Sequence, residues 1–240
     1  MTAFSANPEQ TSVFILAAGR GERMRPLSDS TPKPLLRAGG KSLIEHHLEM
    51  LAKQGFRHVI INVAHLGQLI IDAIGNGESY GLDIHFSFER AGALETLGGI
   101  RHAVNKIRSE HFLLINADVW SNADYSSLLQ QQPEIAHLLM VENPPHHPDG
   151  DFILLNDGVL DLDPENPSKL RRTYTGIGLY NKSFIASLEE QHAPLGPLLR
   201  TEVLKNRLTG VLHEGDWFDI GTPNRLHELD RWLSLKGNEH

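Results

Sequence analysis

Residues 13–36 read VFILAAGRGERMRPLSDSTPKPLL, and the reading of this stretch decides the fold. Val13, Phe14, Ile15 and Leu16 form a continuous apolar run, the pattern of a strand buried on both faces. Ala17-Ala18-Gly19-Arg20-Gly21 follows, small residues where a backbone must bend and let something approach. Glycine permits φ > 0, and successive backbone N–H groups then line a concavity suited to an anion. Three cations come next, Arg23, Arg25 and Lys33, with Lys33 held between Pro32 and Pro34 on a fixed, extended path. A buried strand, a glycine turn and converging cations are what a polyphosphate needs. The glycine pair alone fits equally well an ordinary strand-to-loop connection with surface arginines.

Two phosphate motifs do not fit. Met24 stands where a dinucleotide fingerprint needs its third glycine, the one that lets the next helix pack close to the strand. A Walker loop would end in Gly-Lys-Ser/Thr, and this stretch has none.

Outward from the loop, strands and helices alternate. Residues 42–54 read as a helix with Ile44, Leu48 and Leu51 on one face and Gly55 at its end. Residues 58–63 (HVIINV) read as a second buried strand, 66–74 as a short helix, and 82–88 as a strand. Residues 98–107 read as a helix and 112–115 as the start of another strand. This order predicts an α/β fold, a Rossmann-like three-layer, mostly parallel sheet with helices on both faces. Right-handed crossovers then put the ligand at the carboxyl ends of the strands.

The second half changes character. Residues 135–141 and 151–155 read as strands joined by the turn-rich segment ENPPHHPDG, residues 142–150. Residues 169–180 read as a strand interrupted at Thr175-Gly176, followed by helices near 184–188 and 198–205. Strands at 211–213 and 217–220 precede a last helix capped by Thr222, with Leu226, Leu229 and Leu233 in one stripe. No repeat or linker is visible. One domain over 13–235 is expected, in two halves at about 13–120 and 121–235. Residues 1–12 and 236–240 read as tails.

Composition narrows the function. The chain has 240 residues, enough for one large α/β domain, and a net charge of -8, which argues against a general nucleic-acid binder. It has no cysteine, so disulfides and thiolate metal sites are out, and a cytoplasmic home is compatible. No apolar run approaches the ~20 residues of a membrane span, and the first dozen residues lack the pattern of a signal peptide.

Two aspartates carry further chemistry. Asp118 follows the apolar strand ending at Ile115, and an aspartate at a strand's carboxyl end points into the ligand crevice. A helix-capping or turn role is the plainer alternative. Asp219 lies in Trp217-Phe218-Asp219-Ile220-Gly221-Thr222, again between apolar residues and a glycine turn. Two carboxylates from separate strands suit Mg²⁺, a hard cation that takes few protein oxygens plus substrate phosphates. His146 and His147 are adjacent, so on an extended segment they face opposite ways and do not readily chelate one ion.

The longer pattern, Leu-Ala-Ala-Gly-x-Gly-x-Arg-Met-x-Pro followed by Thr31-Pro32-Lys33-Pro34-Leu35, resembles the signature of the sugar-1-phosphate nucleotidylyltransferases. In that family the Gly-rich loop wraps a nucleoside triphosphate, and the arginine and lysine hold its phosphates. The resemblance implies Arg23 and Lys33 as catalytic residues, and Leu16, Ala17, Ala18, Gly19, Gly21 and Arg25 around the nucleotide. It also implies that Asp118 and Asp219 hold Mg²⁺. Thr96 and Gly99 fall where many members have a Leu-Gly-Thr-x-Gly segment that contacts the base, although Glu95 replaces the first glycine here.

Three segments taken together, Leu-Glu-Thr-x-Gly-Gly-Ile, Asn-Pro-x-His-His-x-x-Gly-Asp-Phe and Trp-x-Asp-x-Gly-Thr, narrow the resemblance to a branch without a C-terminal β-helix. Its members join UTP to N-acetylmuramate 1-phosphate in cell-wall sugar recycling. The expected partners are UTP and a sugar 1-phosphate, in a monomer or weak homodimer. The resemblance puts the nucleotide in the half at about 13–120 and the sugar in the half at about 121–235, with Asn143, Asp151, Thr175 and Gly176 expected at the sugar. Of Arg171 and Arg172, adjacent on a strand, at most one faces inward toward its lactyl carboxylate. A guanylyl- or thymidylyltransferase acting on mannose or glucose 1-phosphate shares the phosphate chemistry and stays open. A non-catalytic regulatory subunit would have no need to keep Arg23, Lys33, Asp118 and Asp219 together.

Overall fold

Val13, Phe14 and Ile15 have no exposed surface, because β1 lies inside the main sheet with a parallel neighbour on each side. The computed structural model describes residues 7–89, 94–162, 170–189 and 192–237. In chain order the elements are β1 (Ser12–Leu16), β2 (Arg37–Ala38), β3 (Lys41–Ser42), α1 (Leu43–Lys53), β4 (His58–Val63), α2 (Gly67–Ile74), β5 (Asp83–Phe88) and α3 (Glu95–His102). There follow β6 (His111–Asn116), β7 (Val119–Ser121), β8 (Ala136–Val141), β9 (Phe152–Leu154), β10 (Leu160–Asp161), β11 (Arg171–Asn181) and α4 (Lys182–Ser187). Last come α5 (Leu195–Val203), β12 (Leu208–Leu212), β13 (Trp217–Asp219) and α6 (Pro223–Gly237).

The main sheet runs β10-β9-β11-β6-β1-β4-β5, with β8 also on β11 and β12 on β8. The block β6-β1-β4-β5 is parallel, as its intervening helices require. The switch comes at β11, which is antiparallel to β6 and to β8. Alternate residues of β1 feed two cores. Val13 and Ile15 pack with Ile44, Leu48 and Leu51 of α1 on one face, and Phe14 packs with Leu97 and Ile100 of α3 on the other. Each such fully buried side chain contributes about 1.5–3 kcal/mol of transfer free energy. A third cluster joins Met24, Leu43, Ile220, Leu226 and Leu229, tying α6 to the loop after β1.

Several boundaries differ from the sequence reading, for local reasons. α1 starts where expected, because Ser42 and Glu45 form a capping box. Residues 7–12 are not a tail: Pro8–Gln10 is a 3-10 turn, and Thr11 and Ser12 are buried. At the other end Lys236 and Gly237 belong to α6. Residues 1–6 and 238–240 of the expected tails, and Lys169 of the expected strand, lie outside the described residues. α3 starts at Glu95, three residues before the expected 98, and its glycines lie within the helix. β11 passes through Thr175-Gly176 without a break. Tyr174 pairs with Met140 and Gly178 with Leu138, so the expected interruption is a bulge. No described helix is long and apolar enough to cross a membrane.

Candidate active site

The carboxyl ends of β1, β4 and β6 open onto a cleft of about 630 Å³. Its floor is set by two bonds from backbone amides: Ala117 N donates to Leu16 O at 3.0 Å, and Ala17 N donates to the side-chain Oδ1 of Asn62 at 2.7 Å. From there the chain turns at Gly21, whose φ of 63° begins the 3-10 turn Glu22–Met24. Met24 is fully buried in the third cluster and anchors this turn, which explains why a third glycine is absent. Ser28 Oγ donates to Gly21 O at 2.7 Å and closes the loop.

Lys33, between its prolines, begins a further 3-10 turn and is only 9% exposed. A Cβ on Gly21 would lie 3.2 Å from Lys33 Cβ, so the loop rests on the lysine stem. Lys33 Nζ pairs with Asp118 Oδ2 at 2.5 Å.

Asp118 and Asp219 are brought together by the two-stranded ribbon β7–β13. Asp219 stands opposite Val119, and Ile220 N donates to Asp118 O at 2.7 Å. Trp120, Phe218 and Trp232 stack between this ribbon and α6, with ring centroids 4.9 to 6.0 Å apart. Asp219 Oδ1 accepts from the guanidinium of Arg225 on α6 and lies 3.2 Å from His146 Nε2. The other oxygens, Oδ1 of Asp118 and Oδ2 of Asp219, have no protein hydrogen bond among the described residues.

Leu16, Ala17, Ala18, Gly19, Gly21, Arg23, Lys33, Thr96 and Asp118 all line the cleft. Arg25 does not. It pairs with Asp29 at 3.2 Å on the surface, directly after the turn that leaves Arg23 at the cleft. Gly99 sits behind the lining, where a Cβ would come within 2.4 Å of Glu89 Oε1. Glu95 adopts a φ of 60°, the left-handed conformation that a glycine takes at low cost.

Of the four residues expected at the sugar, Asn143, Asp151 and Thr175 bond to the 142–150 loop and the neighbouring strands. Asn143 Nδ2 donates to Pro148 O at 3.0 Å and its Oδ1 accepts from Thr173 Oγ1 at 2.9 Å. Asp151 Oδ2 accepts from Tyr174 N at 2.8 Å and its Oδ1 faces His147 Nε2 at 3.3 Å. Both therefore tie the 142–150 loop to β11. Thr175 is buried and its Oγ1 donates to Leu139 O at 2.8 Å across the bulge. Arg172 pairs with Glu142 at 3.0 Å, and Arg171 donates to Leu162 O at 3.4 Å, so neither reaches the cleft.

Gly176 does adjoin the cleft, through Asn116. Its φ is 80°, and a Cβ there would lie 2.6 Å from Asn116 Nδ2. Gly176→Ala is therefore expected to cost about 1–3 kcal/mol in urea unfolding and to displace Asn116. Wild-type stability and activity in this variant would contradict that placement.

Sequence reasoning missed Asn62, Glu89, Asn116 and Arg225, and it singled out His146 without its pairing to Asp219. Glu89 is 2% exposed, with Oε1 accepting from Asn62 Nδ2 at 2.7 Å and Oε2 from Leu94 N at 3.2 Å. The available signal was a polar residue near the carboxyl end of an apolar strand, as in HVIINV and FLLIN.

Residues 12–234 match the nucleotidyl transferase family. The chain belongs to that family. Among nucleotidyl transferases it is 46% identical, over 221 residues, to the N-acetylmuramate alpha-1-phosphate uridylyltransferase of Neisseria meningitidis serogroup B, covering 90% of this chain and 95% of that protein. It is 31% identical to the Caulobacter vibrioides enzyme of the same name, covering 88% of this chain and 91% of that one. Among solved structures, a putative glucose-1-phosphate thymidylyltransferase from Bacillus anthracis superposes with a TM-score of 0.78 at 19% identity, covering 93% of this chain and 94% of that one. HddC from Yersinia pseudotuberculosis gives 0.77 at 21% identity, covering 93% and 99%. At these identities the two structures share the fold with this nucleotidyl transferase.

One buried histidine links the site to stability. His47 of α1 is 3% exposed, and its Nε2 has no hydrogen-bond partner among the described residues. Burial is the main cause that lowers its pKa to about 4, and the charge of His46 adds to it. The backbone at Val119 and Ala117 and the Asp118 carboxylate act in the opposite direction. The folded nucleotidyl transferase therefore binds fewer protons than the unfolded chain below pH 6.5, and stability is lost as pH falls from there toward 4. The shift corresponds to on the order of 3 kcal/mol. Urea midpoints between pH 7 and 5 should fall more steeply for wild type than for His47→Gln, and equal slopes would contradict this.

Proposed function

We propose that this nucleotidyl transferase moves UMP from UTP to N-acetylmuramate 1-phosphate, giving UDP-N-acetylmuramate and pyrophosphate. The observation that carries the reading is the 46% identity over 95% of the Neisseria uridylyltransferase. The cleft supports it with a glycine turn and cations at the carboxyl ends of parallel strands.

A phosphate oxygen of the sugar attacks the α-phosphorus of UTP in line with the departing pyrophosphate. One P–O bond forms as the α–β bridge breaks, and the electron pair leaves on pyrophosphate. The incoming phosphate is already ionised at neutral pH, so no protein nucleophile is needed. Repulsion between two polyanions is the obstacle, and positioning with charge neutralisation overcomes it. Arg23, on the cleft wall beside Gly221, holds the β- and γ-phosphates. Lys33 bridges the α-phosphate and the sugar phosphate. The backbone from Leu16 to Gly21 wraps the nucleotide, and Thr96 lies toward the base. Residues 13–120 serve the nucleotide and 121–235 the sugar, with the 142–150 loop reaching the reaction centre through His146.

The donor set fits Mg²⁺. Two carboxylates on neighbouring ribbon strands each keep one oxygen without a protein bond, and Mg²⁺ takes one or two carboxylates plus substrate phosphates. When bound, it would neutralise charge on the α-phosphate. Asp118 and Asp219 would hold it, while Lys33 and Arg225 orient those carboxylates.

The test is pyrophosphate release from purified protein. It should require UTP and N-acetylmuramate 1-phosphate together. Equal release from UTP alone would make the protein a hydrolase and overturn the reading.

A further inference from the structure

His58 and Asp83 open β4 and β5, at the opposite end of the parallel strands from the nucleotide cleft. The parallel register sets His58 beside Asp83 and Ile60 beside His85. Asp83 and His85 are two residues apart on one strand, so all three share a face of the sheet. His58 Nδ1 lies 3.4 Å from Asp83 Oδ2, and His85 Nε2 lies 2.9 Å from Asp83 Oδ1. One ligand atom from each residue lies within 4.8 Å of the other two.

Hydrogen bonding makes this trio a place for a positive charge. His58 is buried, and its Nε2 stands 3.0 Å from Lys106 O. A carbonyl only accepts, so Nε2 carries the N–H. In the neutral ring Nδ1 is then a bare lone pair facing a carboxylate oxygen. Two lone pairs in contact repel unless a proton or a metal ion stands between them. A carbonyl on the distal nitrogen is also the usual outer support of a metal-bound histidine. The guanidinium of Arg108 already supplies positive charge, 3.0 Å from Asp83 Oδ2 and 3.3 Å from His85 Nε2. Arg108 is exposed and attached to a separate loop, so it is free to withdraw.

We propose that His58 Nδ1, Asp83 and His85 Nε2 form a Zn²⁺ site, with Arg108 as the cation that fills it when metal is absent. Two imidazoles and a carboxylate suit Zn²⁺, with its fourth position open to water on the exposed side. Mg²⁺ is a poor match, because it prefers oxygen ligands. β5 is the edge of the sheet, and the metal would pin it to β4. The role is structural and independent of the transfer reaction.

Equilibrium dialysis against Zn²⁺ in excess Mg²⁺ tests this on wild type, His85→Ala, Arg108→Ala and Asp219→Asn. Wild type and Asp219→Asn should take up the same high-affinity equivalent. His85→Ala should bind it at least about 10–100-fold more weakly, while its transfer activity in Mg²⁺ stays at the wild-type level. Arg108→Ala should bind more tightly than wild type, which a merely structural arginine would not predict. Zn²⁺ at about a hundred times its Kd should raise the Tm of wild type by roughly 5–10 °C, and that of His85→Ala far less. The site is refuted if wild type takes up no Zn²⁺, if His85→Ala binds like wild type, or if Arg108→Ala binds more weakly.

Discussion

Removing EDTA-accessible metal is expected to abolish turnover, and Asp219→Asn and Asp118→Asn are each expected to lower kcat by about 10³-fold or more. A metal that neutralises phosphate charge is worth several kcal/mol in the transition state, and each 1.36 kcal/mol is a factor of ten. The two carboxylates meet on one ribbon although the chain separates them by most of its second half. Without a divalent ion they would repel the triphosphate, so UTP binding should weaken as well. Asp118→Asn also removes the charge that Lys33 faces at 2.5 Å, so its loss should exceed a simple halving of the metal site. The asparagine variants keep size and hydrogen-bonding shape, and circular dichroism should show them folded. Full activity in excess EDTA would remove the metal from the account.

The second large effect is at Lys33. Lys33→Met should lower kcat by about 10²–10³-fold, the cost of losing one preorganised charge stabiliser. Methionine keeps the apolar stem on which Gly21 rests, so the loop should hold its shape. Lys33→Ala would confuse the two effects, because Lys33 is buried. Both phosphates that the proposal assigns to Lys33 exist before the reaction. They approach more closely in the transition state, so kcat should fall more than KM for UTP rises. A folded Lys33→Met enzyme that turns over like wild type would rule out the role.

The parallel half of the fold was legible because hydrophobic runs at β1, β4 and β6 are continuous, as strands buried on both faces must be. The glycine loop of the cleft was legible for the same local reason: small residues, then cations, directly after a buried strand. Asn62 and Glu89 were not, since their partners come from other parts of the chain and only the folded sheet brings them together. Asp219 was legible as a carboxylate beside a glycine turn, but its pairing with Arg225 and His146 depends on α6 and the 142–150 loop. Asn143, Asp151 and Thr175 were read as sugar contacts from their segment. Their polar atoms are spent on loop and bulge geometry, which one-dimensional spacing does not reveal. Arg25 was read beside Arg23 from proximity in sequence, which says nothing about which side of a turn a residue leaves; it pairs with Asp29 on the surface.

The reaction itself is tested most directly by competition. The enzyme is given UTP, GTP, dTTP and CTP at equal concentration, with equal amounts of N-acetylmuramate, N-acetylglucosamine and mannose 1-phosphates. Mass spectrometry then measures the nucleotide sugars formed at early times. The lactyl carboxylate distinguishes the first sugar, and a site that pairs it rejects analogues lacking it far beyond the roughly 1–3 kcal/mol that size alone gives. The account predicts UDP-N-acetylmuramate as the dominant product. Equal use of the three sugars, or a preference for GDP-mannose, would contradict it.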